Sequence, residues 1–468
     1  MVFSSLEFLY FYLPLCFFIY FLVPSNKLAL RNAALFFISL IFYGWSEPIY
    51  ILIMLFSTLL DYTCGYLVAR HKETAPKKAK AALISSVVIN LSVLFFFKYF
   101  DFLITTLSSI PVFSGLKPLG LTLPVGISFY TFQTMSYTID IYMGNASVQK
   151  NILSFGSYVT MFPQLIAGPI VRYRDVDLAL RHRTHSLELA SKGAARFICG
   201  LAKKVLLANT AGAMYEQMLQ NTFNSPSVLA SWLGIVFFSF QIYFDFSGYS
   251  DMAIGLGLIL GFEFPENFNY PYISKSVTDF WRRWHITLST WFREYVYIPL
   301  GGNRKGSGRT YLNLLIVWFL TGLWHGANWN FVLWGLYFCL LLILEKTVLL
   351  KLFEKLPKVF SHLYLIIAVI FGWYLFISCD INQPISFLSS MFTAPLVSGT
   401  VVYDLARSAV LLVILIIAST PLPHMLYQKL KDNKAFIVIW TAVLPVVLLI
   451  CTAYLVDSSY NPFLYFRF

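Results

Sequence analysis

Apolar stretches that approach or reach the length of a bilayer crossing recur along this chain, among them 9–23, 81–97, 312–323, 331–344, 363–377 and 436–454. A spanning helix needs about 20 such residues, and backbone amides in hydrocarbon must find their partners inside the segment itself. Only 12% of the 468 residues are charged while 58% are hydrophobic, whereas soluble domains carry roughly 25% charged residues. An ordinary soluble fold is excluded, and the pattern predicts an all-α, polytopic integral membrane protein. The first apolar segment has no basic flank before it and no small-residue cleavage site after it, so it is expected to be a retained span, with the mature chain starting at Met1. Cys16, Cys64, Cys199, Cys339, Cys379 and Cys451 lie singly in apolar segments. They read as small buried hydrophobes, with neither disulfide nor metal spacing.

The net charge of +12 is not spread evenly. Six segments, 24–31, 70–80, 172–204, 262–310, 345–358 and 425–434, hold 29 of the 34 Lys and Arg residues but 11 of the 22 acidic ones. The positive-inside rule puts all six in the cytoplasm, and this distribution argues against nucleic acid as the partner. It threads through roughly 11–12 transmembrane helices, near 5–23, 32–45, 49–69, 81–100, 124–143, 193–215, 229–247, 309–324, 328–346, 359–378, 404–420 and 435–456, with both termini outside. Two stretches broken by Pro and Gly, 151–169 and 248–299, are too polar to cross simply. They are expected to be re-entrant or interfacial, because irregular backbone at membrane depth survives only inside protein or along a cavity. The halves share no pattern, which disfavours an inverted-repeat transporter. The chain reads as a single domain, 1–468, with a catalytic core at about 124–346 and an aromatic tail at 461–468.

The segment 279–295 is the most informative. On a helical net Trp281, Trp284, Leu288, Trp291, Phe292 and Tyr295 share one face, and Arg282, Arg283, Thr290, Arg293 and Glu294 take the other. An amphipathic interfacial helix accounts for all of these but not for His285, which falls among the aromatic residues. An imidazole in such surroundings needs a hydrogen-bond partner, and an ionisable group at membrane depth is a candidate for function. In the second segment, 319–331, a short apolar span breaks at Trp324, His325 and Gly326 and another follows at once. There Asn328 or Asn330 is placed to cap the next helix or to orient His325. A satisfied packing histidine is the competing reading for each imidazole.

Three further segments carry polar groups. The Gly-rich loop 297–308 offers backbone amides with Arg304 or Lys305 to phosphate oxygens, or is simply a flexible basic loop; it lacks the Gly-Lys-Ser/Thr of a Walker loop. Asp245 and Asp251 flank Gly248, but their six-residue offset puts them on different faces of a regular helix, so they pair only if the helix breaks there. Phe162, Pro163 and Gln164, followed by Gly168 and Pro169, mark another break, with Gln164 and Arg172 as its strong hydrogen-bonding side chains. Among soluble-enzyme templates neither a G-x-S-x-G elbow nor H-E-x-x-H occurs, and no metal site is expected.

These motifs, with the opening from Met1 to Ser5 and the close from Asn461 to Phe468, resemble the membrane-bound O-acyltransferase family. The likeness is to its bacterial branch, the membrane subunits of alginate and peptidoglycan O-acetylation. The resemblance implies helices around a central tunnel, with His325 catalytic and His285 its companion. It also implies that Tyr465, on an aromatic tail like that of a small partner in the related D-alanylation system, is a candidate acyl acceptor. Trp281, Trp284, Trp324, Asn328, Gln164, Asp245 and Asp251 are then tunnel-lining or orienting residues, and Arg282, Arg304 and Lys305 meet the donor. No bound cofactor is expected. Acetyl-CoA or a similar acyl thioester is the expected donor substrate, a polysaccharide the final acceptor, an extracytoplasmic acetyltransferase the partner protein, and a bacterial cytoplasmic membrane the location. A proton-coupled transporter and an acyltransferase for lipid or protein are the rival readings.

Overall fold

A computed structural model describes residues 1–457 and residue 464, and every regular element among them is helical. In order these are α1 (Phe8–Leu22), α2 (Leu28–Ser46), α3 (Ile51–His71), α4 (Pro76–Ser108), α5 (Ile127–Met143), α6 (Ile152–Thr160), α7 (Phe162–Leu165), α8 (Tyr173–Arg181), α9 (Leu187–Asn224) and α10 (Val228–Ile259). There follow α11 (Val277–Arg283), α12 (Ile286–Phe292), α13 (Ser307–His325), α14 (Trp329–Phe353), α15 (Lys358–Ile377), α16 (Pro384–Thr393), α17 (Gly399–Ala418), α18 (Leu422–Leu430) and α19 (Lys434–Asp457). Among the described residues nine of these, α2, α3, α4, α9, α10, α14, α15, α17 and α19, are long and apolar enough to cross a membrane. The protein is a multi-pass integral membrane protein. The other three expected spans are helices too: α1 is shorter, and α5 and α13 carry more polar side chains.

The chain divides into two compact units, one of Met1–Phe197 with Tyr249–Glu266, the other of Ile198–Gly248 with Asn267–Phe468. In the first unit α5 is buried along nearly its whole length although it carries Ser128, Thr131, Gln133, Thr134, Ser136, Thr138 and Asp140. Neighbouring helices therefore supply what lipid cannot. Asp61 of α3, for instance, accepts hydrogen bonds from Ser86, from Asn90 at 2.7 Å and from Thr138 at 3.1 Å. The expected break at 151–169 is two short buried helices, α6 and α7, together far below spanning length. Asn151 caps the first through bonds from the Leu153 and Ser154 amides.

One expectation needs correction. The polar break beginning at 248 does not begin there, because α10 runs unbroken through Gly248 to Ile259. A single glycine costs a helix only about 1 kcal/mol, and the apolar turns on either side continue it.

The second unit is built on tryptophan. Trp334 and Trp373 are fully buried, and Trp281, Trp318, Phe280 and Phe338 pack on them. Its central hairpin, α13 with α14, closes on two glycines. A Cβ at Gly322 would lie 2.4 Å from the Phe331 carbonyl oxygen, and one at Gly335 would lie 2.3 Å from that of Trp318. Small residues are what let helix backbones meet this closely. Gly335→Ala should therefore cost about 1–3 kcal/mol, read as a lowered unfolding temperature in detergent. Gly399→Ala, where no atom lies within 4 Å of the added carbon, should leave it unchanged.

Candidate functional site

The segment expected to form one amphipathic helix is two short ones. α11 ends at Arg283, Trp284 is extended, and His285 takes a left-handed conformation with φ 44° and ψ 54° before α12 begins. Such a backbone is uncommon outside glycine and persists only where its surroundings hold it. Here the hold is visible. The chain at 267–269 runs along the break and takes up the groups it frees: the Asn269 amide donates to the Arg283 carbonyl at 2.9 Å, and the Ile286 amide donates to the Asn267 carbonyl at 3.0 Å. The Asn267 side-chain oxygen accepts from Thr287 Oγ1 at 2.9 Å and faces His285 Nδ1 at 3.0 Å.

That contact decides the tautomer. An amide oxygen only accepts, so Nδ1 carries the proton and Nε2 keeps its lone pair. Nε2 is buried, with no hydrogen-bond partner among the described residues. His285 stands outside the spanning helices, and burial, then the neighbouring His325, pushes its pKa well below the ordinary histidine value. It is neutral at pH 7.

The helix leading into His285 is fixed at its other end by a residue with no sequence signal pointing to it. Ser276 caps α11 by accepting from the Asp279 amide at 3.0 Å. Glu345, fully buried on α14, receives the Val277 amide, the Thr278 amide at 2.9 Å and the Thr278 hydroxyl at 2.7 Å. A carboxylate on the exposed N–H groups of a helix start meets both their hydrogen-bonding need and the dipole.

His325 is the last residue of α13, and Gly326 continues in extended backbone. A Cβ on Gly326 would fall 2.2 Å from the Phe331 ring, so only glycine leaves room for that ring beneath the turn. Asn328 then caps α14, while Asn330 donates to the Phe376 carbonyl at 2.7 Å. The cap is thus the role Asn328 takes of the two open to it. The His325 ring lies edge-on to Trp334 at 4.9 Å, Phe376 at 5.2 Å and Trp324 at 5.1 Å. The same Trp324 ring lies 5.8 Å from His285, which also meets Phe246 edge-on at 4.7 Å. Two imidazoles 40 positions apart in sequence therefore converge on one indole, at 1% and 6% exposure.

Other expected residues are placed as follows. Trp281 packs on Trp318, Trp334 and Phe338, and Trp284 packs on Phe268, Phe280 and Trp373. Together they form the aromatic wall behind the histidines. Asp245 is ion-paired with buried Lys204 at 2.7 Å and accepts the Leu464 amide at 3.0 Å, so the orienting contact to His285 comes from Asn267 instead. Asp251 pairs with Arg196 at 2.9 Å in the first unit, and Gln164 there donates to the Tyr158 carbonyl. Both aspartates lie on the unbroken α10, so the break that would have paired them is absent. Arg282, Arg304 and Lys305 are exposed. Tyr465 lies outside the described residues.

Sequence reasoning missed Asn267 and Glu345. Asn267 sits in a polar loop with nothing to distinguish it, and Glu345 reads as one more charge in a basic bunch. Glu345→Ala should destabilise the protein by about 3 kcal/mol, since hydrogen bonds to a charged acceptor contribute roughly 1.5–3 kcal/mol each. Glu345→Gln, which keeps one acceptor oxygen, should cost less, both read by thermal unfolding.

Comparison with known proteins shows the family. The family model for the membrane-bound O-acyltransferase family matches residues 144–387, which include both histidines, Asn267 and Glu345. The chain is 40% identical to the "Probable alginate O-acetylase AlgI" of Azotobacter vinelandii over 84% of its own length and 78% of that protein's. It is 37% identical to the protein of the same description from Pseudomonas putida over the whole of both. It is also 33% identical to the peptidoglycan O-acetyltransferase of Helicobacter pylori, over 84% of this chain and 80% of that one. A family model that covers more than half of this multi-pass chain, and relatives above 30% identity over most of its length, show that this protein is a member of the membrane-bound O-acyltransferase family.

Proposed function

We propose that this protein takes an acyl group, acetyl in the first instance, from a cytoplasmic thioester such as acetyl-CoA. It passes that group across a bacterial cytoplasmic membrane for O-acetylation of an extracytoplasmic polysaccharide. The relatives named for alginate and peptidoglycan O-acetylation support the acceptor class. The observation that carries the chemistry is the convergence of His285 and His325 on Trp324, with His285 Nε2 buried and without a hydrogen-bond partner among the described residues.

In this reading the acceptor hydroxyl enters between the imidazoles. His285, its Nδ1–H committed to Asn267, presents only a lone pair at Nε2; it has no proton on that side for the thioester, and its fixed ring shapes the wall beside Trp324 that positions the hydroxyl for His325. His325 takes the hydroxyl proton as the oxygen attacks the thioester carbonyl. The new C–O bond forms, the C–S bond breaks, and the proton passes from His325 to the departing sulfur, which leaves as a thiol. The aromatic walls exclude water that would otherwise hydrolyse the thioester. Donor and acceptor meet through a water-accessible passage. The hydroxyl belongs to Tyr465 or to an extracytoplasmic partner protein, which loads the sugar.

Purified protein given labelled acetyl-CoA and an acceptor should release free CoA. His325→Ala should lower that rate by about 10²–10⁴-fold, the usual contribution of a positioned base. Asn267→Ala, which frees the His285 ring, should cost about 10²-fold, as misplacement of a reacting group does. Full transfer by His325→Ala at normal protein levels would overturn the assignment. Because the folded environment holds His285 neutral below its ordinary value, the acid limb contributed by His285 should lie below about pH 6.5. Tyr465→Phe removes the phenolic oxygen and keeps the ring. Loss of polysaccharide acetylation with CoA release to an added acceptor retained is the expected result, and undiminished polysaccharide acetylation excludes the relay through this side chain.

A further inference from the structure

Four arginines of the first unit, Arg172, Arg174, Arg181 and Arg196, each have a carboxylate partner. Arg31 and Arg183 do not: among the described residues neither is ion-paired, yet the two are held together around one imidazole. Arg31, only 5% exposed, donates from Nε to the Val23 carbonyl at 2.9 Å and from Nη1 to His185 Nδ1 at 3.0 Å. Arg183 donates from Nε to the Tyr20 hydroxyl at 2.9 Å and from Nη1 to Asn32 Oδ1 at 2.8 Å, and its Nη2 is buried with no partner among the described residues. His185 Nε2 faces the Leu260 carbonyl at 3.2 Å. Both guanidinium groups also lie over the Tyr20 ring, and Arg183 lies 4.3 Å from the centre of the Phe262 ring.

Every acceptor in this cluster is neutral. Two positive charges withdrawn from water without a counter-charge are costly, and their effect on the neighbour is plain: burial, then Arg31 and Arg183, push the His185 pKa down to about 4. We propose that Arg31, Arg183 and His185 form a binding site for a phosphate-bearing anion. Arg183 Nε and Nη1 are held by Tyr20, Asn32 and the Ala179 carbonyl, so its Nη2 is the donor left over beside the Arg31 guanidinium, and a tetrahedral oxyanion accepts N–H bonds from both. The aromatic α1 that abuts the cluster leaves Phe18, Phe21 and Leu22 exposed, a surface suited to acyl chains beside a headgroup. An anionic phospholipid headgroup and a soluble phosphate are the two sources of this chemistry.

The test is thermal unfolding of the full-length protein in detergent, titrated with phosphatidylglycerol, with inorganic pyrophosphate, or with phosphatidylcholine as the zwitterionic control. The wild type should be stabilised by phosphatidylglycerol or pyrophosphate more than by phosphatidylcholine, and Arg183→Gln should need at least tenfold more of the same anion. A response to phosphatidylglycerol alone assigns a lipid headgroup; a response to pyrophosphate assigns a soluble phosphate. Since a bound anion restores the imidazolium, phosphatidylglycerol should bind more tightly as pH falls from 7 to 5, and His185→Gln should abolish that gain. No anion response in the wild type, or the same response in Arg183→Gln, overturns the proposal. If Arg183→Gln does not fold, Arg31→Lys decides: it keeps the charge and loses the fork, so unchanged affinity overturns the site and a tenfold loss supports it.

Discussion

The hydrogen bonds that the chain at 267–269 makes to the broken helix between α11 and α12 are what the candidate site depends on. A helix inside a membrane protein does not break freely, because each amide and carbonyl it releases must be met where no water is available. The Asn267 carbonyl, the Asn267 side chain and the Asn269 amide meet three of those needs at once. His285 can therefore stand in a left-handed turn with its ring fixed, rather than on the face of a continuous helix. Glu345 completes the arrangement from the far end of α11, so both ends of a seven-residue helix are pinned by polar contacts while its flanks are pinned by tryptophan.

Among the described residues, several buried carboxylates are met by donors from other elements. Asp61 is met by hydroxyls and an amide, Glu345 by a helix start and a hydroxyl, and Asp245 by Lys204 and a backbone amide. Each anion finds donors, and each is held by tertiary contacts rather than by its own helix. Arg31 and Arg183 differ, since Arg31 meets His185 and the Val23 carbonyl, Arg183 meets Tyr20, Asn32 and the Ala179 carbonyl, and every one of these acceptors is neutral.

The neighbouring histidines illustrate how aromatic packing serves chemistry. Trp324 touches both imidazoles, and Trp334 and Phe376 close around His325. Ring edges and faces line the imidazoles, and among the described residues nothing meets the lone pair of His285 Nε2. The buried ion pair of Asp245 with Lys204 lies in the same unit and receives the amide of Leu464, which ties that residue to α10.

The periodicity and length of the apolar runs alone determined that this chain is helical and crosses a membrane many times, because hydrocarbon leaves few other solutions to a backbone. All twelve expected spans coincide with helices, and both histidines were singled out by being ionisable among tryptophans. Local pattern did not reveal that 279–295 is broken, since the residues satisfying that break lie more than ten positions upstream, and Glu345, which holds the other end of α11, lies more than sixty positions downstream of it. Nor did it reveal the partner of Asp245 or the continuity of α10 through Gly248. Those were decided only by tertiary structure, for a physical reason: hydrophobic periodicity is written residue by residue along the chain, whereas the pairing of a buried polar group is settled by whichever donor or acceptor the fold carries to it.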